Sequence, residues 1–130
     1  SNPAETNLDD FKACNIENIE HIRDLFVEPF YFGCEADDRM NAVAFDEKIN
    51  RCGVKLKAMF GSDIGHWDVL DMTKVLEEAY EPVETSLMSE DDFRDFTFTN
   101  PITLHGGMNS EFFEGTSVES AAKKVLSENN

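Results

Sequence analysis

Two short β-like runs constrain the fold of this chain more than any other feature of its sequence. Phe30 to Cys34 lacks the alternation of apolar and polar residues that marks a strand with one solvent-exposed face, and Leu56 to Phe60 is a second strand-like run. Strands covered on both faces are typical of parallel sheets, and a helical pattern follows each run. The order therefore predicts an α/β fold whose two strands run parallel.

Helical patterns precede and follow the two runs. The first predicted helix carries apolar residues from Ile16 to Phe26, with Asn15 as its N-cap and Pro29 after it. Further helices are expected over 38–50, 72–87 and 117–126, and one more from Ser89 through Phe96. Local signals predict a capping box formed by Ser89 with Asp92. They also predict two breaks, one at Asn100-Pro101 and one at Gly106-Gly107.

Composition limits the class of protein. The formal charge is −16, from 11 basic and 27 acidic residues, which excludes electrostatic binding to the phosphates of nucleic acid. Hydrophobic residues make up 41% of the chain, enough for one modest core, so a single unit over 1–130 is expected. No apolar run approaches the ~20 residues of a membrane span, so no membrane partner is expected. Three cysteines without CxxC spacing favour reduced thiols and a cytoplasmic location.

The first residues carry no targeting signal that we recognise. Ser1 to Ala4 lack the basic and apolar regions of a signal peptide, and the chain does not begin with Met. This start indicates an expression scar or an internal cut.

Polar side chains concentrate directly after each β-like run, where the reactive residues of α/β proteins lie. A carboxylate at such a position can bind a divalent metal or act as a general base, and an imidazole can bind a substrate oxygen. The alternative interpretation is that these carboxylates cap loops or helices. The two groups are Glu35, Asp37 and Asp38 after the first run, and Asp63, His66 and Asp68 after the second.

Other reactive residue types favour structural roles. Capping is the preferred interpretation of Asp37-Asp38, because adjacent carboxylates point in different directions. His21 is expected at the surface of a helix, and His105 at a helix end. Cys34 has no basic neighbour in sequence to lower its pKa, so it is expected to be a small buried hydrophobe.

Three segments together resemble a known family. They read FYFGCEADD over 30–38, FGSDIGHWD over 60–68 and NPITLH over 100–105. This combination resembles the C-terminal part of metal-dependent hydrolases of the amidohydrolase superfamily. It looks most like the amidohydrolase-2 branch, which also contains decarboxylases.

The resemblance implies a fold and a site. The chain would form the last βαβα units, about a quarter, of a (βα)8 TIM barrel with extra C-terminal helices. Asp63 matches the family's Asp after the eighth strand, which binds the catalytic metal and acts in proton transfer, and His66 matches a position near the substrate. The complete enzyme would use zinc or manganese to hydrolyse a C–N or C–O bond of a small molecule, or to decarboxylate one.

The resemblance also implies that this chain is incomplete as an enzyme. The family's His-x-His and later His ligands have no counterpart here, so the chain is expected to be inactive alone and need not bind a metal. Two strands would leave unpaired edges, which predicts a homo-oligomer formed through those edges. The alternative function is a non-enzymatic acidic module that self-associates or binds a protein partner.

Overall fold

The structure, a computed structural model, describes residues 9–128. Contacts along the chain divide it into two compact units, Ser1–Phe30 and Tyr31–Asn130. That division does not test the interpretation of 1–130 as a barrel fragment, which stays a prediction. Within the described residues, no helix is both long enough and apolar enough to cross a membrane.

The described part of the first unit, from residue 9 onward, contains one helix, α1 (Ile19–Phe26). The prediction that Asn15 is its N-cap is wrong, because Asn15 lies in the left-handed region at φ 56° and ends a preceding turn. Asn18 takes the N-cap position instead, and its side chain accepts a hydrogen bond from the His21 amide at 3.0 Å. The helix therefore begins three residues later than the apolar pattern does.

The second unit is built around two parallel strands, β1 (Phe32–Glu35) and β2 (Ala58–Gly61). Phe32 lies opposite Ala58, so the prediction of parallel pairing is confirmed. The strands begin later than predicted; the Leu56 amide, for example, donates to the Ala44 carbonyl rather than to a strand. A parallel pair with helices is a mixed α/β arrangement, and its assignment to a TIM barrel stays a prediction.

The helix predicted over 38–50 is much shorter. It is α2 (Asn41–Phe45), and a single 3-10 turn follows at Arg51–Gly53. Asp46 ends α2 because its carboxylate accepts the Lys48 and Ile49 amides and offers the backbone an alternative to further helical turns. The prediction beyond Phe45 is therefore wrong.

One separate helix follows β2, and a nearly continuous helical run comes after that helix. The separate helix is α3 (Val75–Glu84), three residues shorter at each end than predicted. The run comprises α4 (Glu90–Arg94), a π-helical segment (Asp95–Thr99) and α5 (Asn100–Met108). The capping box of Ser89 with Asp92 at the start of α4 is confirmed.

Both predicted breaks in this run are wrong. Asn100 has helical backbone angles (φ −64°, ψ −47°), and the wide π turn before Pro101 gives the proline ring room that an α turn would not. Gly106 and Gly107 lie inside α5, and the helix ends at Met108. The last helix, α6 (Glu119–Glu128), packs against α5, where a Cβ on Gly106 would stand 2.6 Å from Leu126 Cδ1.

The main core lies between the sheet and the helices around it. Phe96 of the π segment is fully buried, with its ring edge-on to Phe45 and Phe60 at centroid distances of 6.2 and 6.1 Å. Asn100 links the same helical run to the sheet, because its Nδ2 donates to the Ala58 carbonyl at 2.8 Å. A smaller core joins α5 to α6 through Ile102, Ala122 and Val125. These contacts hold the end of β2, and the segment after it, against a rigid helical layer.

Candidate functional site

The segment after β2 brings three side chains together. Asp63, His66 and Asp68 each offer one ligand atom, and these atoms all lie within 4.8 Å of one another. His66 Nδ1 is 2.7 Å from Asp63 Oδ2. The two residues that the sequence selected are thus in direct contact, and Asp68 joins them.

Local backbone geometry produces this cluster. Asp63 has a left-handed backbone (φ 49°), which Asp tolerates better than most residues, and Gly65 supplies a second positive φ of 105°. The His66 amide donates to the Asp63 carbonyl at 3.2 Å, and the Val69 amide donates to the His66 carbonyl at 3.3 Å. Two consecutive turns therefore fold the segment back on itself and place the three side chains together.

Asp63 and His66 differ in their exposure to solvent. The Asp63 side chain is 25% exposed, whereas that of His66 is 68% exposed. The short contact requires a hydrogen between Nδ1 and the carboxylate, which leaves Nε2 of a neutral imidazole with its lone pair available. Asp63 thus forms the inner wall of the cluster and orients a histidine that faces water.

An acidic cleft of about 260 Å³ lies beside this cluster, at the end of the sheet where both strands terminate. Of the described residues that line it, none is Lys or Arg. The lining combines Ser62 and four apolar residues with five carboxylates, from Glu35, Asp37, Asp63, Asp68 and Glu78. Four of these carboxylates, all except Glu78, belong to the two groups that the sequence placed directly after the β-like runs. The two groups therefore meet at one end of the sheet.

The donor set of the cluster fits a divalent metal. One imidazole and two carboxylates supply three protein donors, the number that catalytic zinc sites use while a further position stays open. Bonds of about 2.1 Å in tetrahedral geometry place donors ~3.4 Å apart. The 2.7 Å contact between His66 and Asp63 must therefore widen by about 0.7 Å, and any donors near the 4.8 Å limit must move closer, which exposed side chains can do by rotating.

The other candidate residues lie outside the cluster. Asp38 accepts the Met40 amide at 2.8 Å in the turn ahead of α2, but the N-cap of α2 is Met40 and has no side-chain cap, so the prediction that Asp38 caps this helix is wrong. The His105 ring stacks on Phe112 at a centroid distance of 4.8 Å, and His21 accepts the Glu17 amide. Burial raises the pKa of the half-buried Cys34 thiol, the opposite of what a reactive thiolate requires.

Sequence reasoning missed Glu78. It lies on α3 one turn after Val75, and both side chains line the acidic cleft. A weak signal was present, because residues three apart share a helix face and Val75 is an apolar residue of the helix predicted over 72–87. Glu77 and Glu78 are adjacent on that helix, so residue types alone do not show which carboxylate reaches the cleft.

No protein-family model, curated protein or solved structure matches this chain.

Proposed function

We propose that the chain binds a divalent metal, zinc or manganese, through Asp63, His66 and Asp68, as part of a hydrolytic site of the amidohydrolase type. The observation that supports this most directly is the convergence of three donor atoms within 4.8 Å after a parallel strand. Asp68 supplies a donor that the family resemblance did not assign. The barrel origin of the chain belongs to the same proposal.

The residues around the cluster would have different roles in such a site. Asp63 is the least exposed member, and in the unloaded chain its contact with His66 Nδ1 fixes the direction of the imidazole that would bind the metal. When bound, the metal supplies Lewis acidity. Glu35 and Asp37 line the cleft from the β1 side and are placed to orient a substrate.

The charge of the cleft favours hydrolysis of a neutral substrate over decarboxylation of an acid. Five carboxylates line it, and a divalent ion offsets only two negative charges. A carboxylic acid substrate would enter against the remaining repulsion, whereas an uncharged amide or ester would not. We therefore propose a metal-dependent hydrolase of neutral small molecules.

Calorimetric titration of the untagged chain with Zn²⁺ and Mn²⁺ tests the metal site. We expect saturable binding of one ion per chain, weakened at least tenfold by His66→Ala and by Asp68→Asn. Asp24→Asn is the matched control, because it removes one exposed carboxylate on α1. Absence of saturable binding, or equal weakening by Asp24→Asn, would overturn the metal site.

An assay of the metal-loaded chain tests the hydrolytic part separately. Neutral aryl esters and amides are the probes, and Asp63→Asn keeps the side-chain shape and the tolerance for a left-handed backbone while removing the charge. The missing His ligands predict an inactive chain, but Asp68 supplies a third donor, so under this proposal we expect turnover by the unaltered chain and loss of turnover in Asp63→Asn. Metal binding without turnover of any probe would leave the metal site standing and overturn the hydrolytic function of this chain.

A further inference from the structure

Two large apolar side chains stand in water beside the acidic cleft. Trp67 is 91% exposed and Leu70 is 93% exposed, and Leu70 is itself part of the cleft lining. Trp67 directly precedes Asp68, another lining residue. Ile64 and Met72 on the same segment are also exposed, so the apolar surface extends along the rim.

This exposure is built into the segment. The Val69 amide donates to the His66 carbonyl, and Thr73 donates to the Asp71 carboxylate through both its amide and its hydroxyl. These hydrogen bonds fix the backbone on both sides of Leu70 and keep its side chain outside the core. Exposed Trp and Leu side chains on a hydrogen-bonded backbone offer a large apolar contact area, which is typical of binding surfaces.

The charge of the cleft identifies the kind of partner. Glu35, Asp37 and Glu78 line the cleft without belonging to the metal cluster, and no described lining residue is basic. A second copy of this chain would bring another −16 charge to the surface, so electrostatics oppose that occupant. A positively charged segment with an apolar face is complementary to both features at once.

We propose that Trp67, Leu70 and the acidic cleft form a docking surface for a basic amphipathic helix of a partner protein. The apolar side of that helix packs on Trp67 and Leu70. Its Lys and Arg side chains extend to Glu35, Asp37 and Glu78, in the helix-in-groove mode of peptide recognition. This interaction needs no metal and goes beyond the proposed hydrolytic function.

Trp67 reports on the interaction directly, since it is the single tryptophan of the chain. The probe is a synthetic helical peptide of about 18 residues, built from Leu and Lys at amphipathic spacing. It is titrated in the presence of EDTA while Trp emission and peptide anisotropy are recorded. We expect a saturable blue shift of the emission, because docking transfers the indole out of water.

Variants locate the surface. We expect Leu70→Ser and Glu78→Gln each to weaken binding about tenfold, and added salt to weaken it further. Met108→Ser is the matched control, because it removes a large, mostly exposed apolar side chain on α5 outside the cleft lining. Its affinity for the peptide should equal that of the unaltered chain.

Three results would overturn the docking surface. The first is equal binding of a peptide with the same composition in scrambled order, which would indicate charge attraction alone. The second is equal weakening by Met108→Ser. The third is blue-shifted Trp emission in a dimer without peptide, which would mean that a second copy covers the surface. Because EDTA is present and neither Leu70 nor Glu78 belongs to the metal cluster, these outcomes leave the metal site untouched.

Discussion

Asp92 is the residue that ties the most separate parts of the second unit together. Its carboxylate binds Lys55 Nζ at 2.6 Å, before β2, and Ser89 Oγ at 2.6 Å, at the start of α4. Burial alone would raise the pKa of Asp92, but the hydrogen bonds from Lys55 and Ser89 outweigh it, so the pKa is lowered. The same contact raises the pKa of Lys55. The ionised pair therefore stabilises the fold.

The lowered pKa of Asp92 predicts a specific loss of stability in acid. A carboxyl with a lower pKa in the folded state contributes fully above its unfolded pKa of about 3.9, and this contribution falls as pH drops toward the folded pKa. We expect Asp92→Asn to cost about 1–3 kcal/mol at pH 7 and less as pH falls below ~4. Urea unfolding from pH 7 to pH 3 measures this difference.

Asp91→Asn is the control for Asp92→Asn. It makes the same change one residue earlier in the first turn of α4, at an exposed position. Its effect on stability should be small, with little dependence on pH. If the difference between unaltered chain and Asp92→Asn were constant from pH 7 to pH 3, the assigned role of the Asp92 carboxylate would be wrong.

Single residues of the candidate site were predictable where the signal was local. Asp63 and His66 stand three apart in a segment with glycines, and they are in contact in the structure. The third donor, Asp68, enters only through two consecutive turns, whose hydrogen bonds cannot be read from residue types. Glu78 comes from a helix distant in sequence, so its position depends on packing.

At the scale of elements, two adjacent glycines of α5 offer a matched pair of substitutions. Gly to Ala inside a helix normally adds about 0.5–1 kcal/mol of stability. A Cβ on Gly107 meets nothing within 4 Å, whereas one on Gly106 would stand 2.6 Å from Leu126 Cδ1. We expect Gly107→Ala to stabilise the chain. We expect no such gain in stability from Gly106→Ala, because its added Cβ crowds the contact between α5 and α6. Urea unfolding of both variants measures the difference.

A third variant checks the cause. Combining Gly106→Ala with Leu126→Ala removes the obstructing side chain, so the two changes together should cost less than the sum of their separate costs. Additive effects, or equal gains from both glycine substitutions, would show that α5 and α6 do not approach closely at Gly106.

The start of α4 was predictable from its capping box, whereas the start of α1 at Asn18 and the continuation through Asn100 were not. The Ser89 capping box involves residues three apart, and it appears as predicted. Asn100-Pro101 carries a strong local signal for a break, yet the helical run continues through it. The Asn100 side chain bonds the Ala58 carbonyl, and a π turn makes room for the proline. Contacts made far along the chain overrode the local signal there.

At the scale of the whole molecule, the net charge of −16 should make stability depend on salt. Like charges repel in the compact state, and raising ionic strength from ~0.01 M to ~0.15 M shortens the screening length from ~30 to ~8 Å. We expect NaCl to raise Tm at pH 7, measured by circular dichroism. Near the isoelectric point, about pH 4.3, the same salt should have little effect. A Tm at pH 7 that is insensitive to salt would contradict this expectation.

The outer edges of the two-stranded sheet bear on the state of association. Among the described residues the sheet consists of β1 and β2 alone, so each strand has one edge without a strand partner. We expect copies to pair through these edges, despite their charge, into a homo-oligomer. Light scattering across a range of concentrations and salt measures the native mass. A monomer under all conditions would contradict the expectation.

The fold class was the most predictable property at this scale. Two strand-like runs, each followed by a helical pattern, indicated parallel strands, and the pairing of Phe32 with Ala58 confirms that direction. The same pattern does not give the number of strands in the complete sheet, because the spacing of apolar residues and the burial of a strand are properties of that strand alone. The barrel origin therefore rests on the family resemblance and stays a prediction.

The pairing of β1 with β2 also has a consequence for the order of folding. Residues 32 and 58 can pair only after the long loop between them has closed. In the helical run from Glu90 to Met108, each hydrogen bond joins residues only a few positions apart in sequence. The run should form first and offer Asn100 as an anchor for the Ala58 carbonyl, so that β2 docks before β1 joins it. Pulse-labelled hydrogen exchange during refolding should accordingly show protected amides in this run before protection appears in β1.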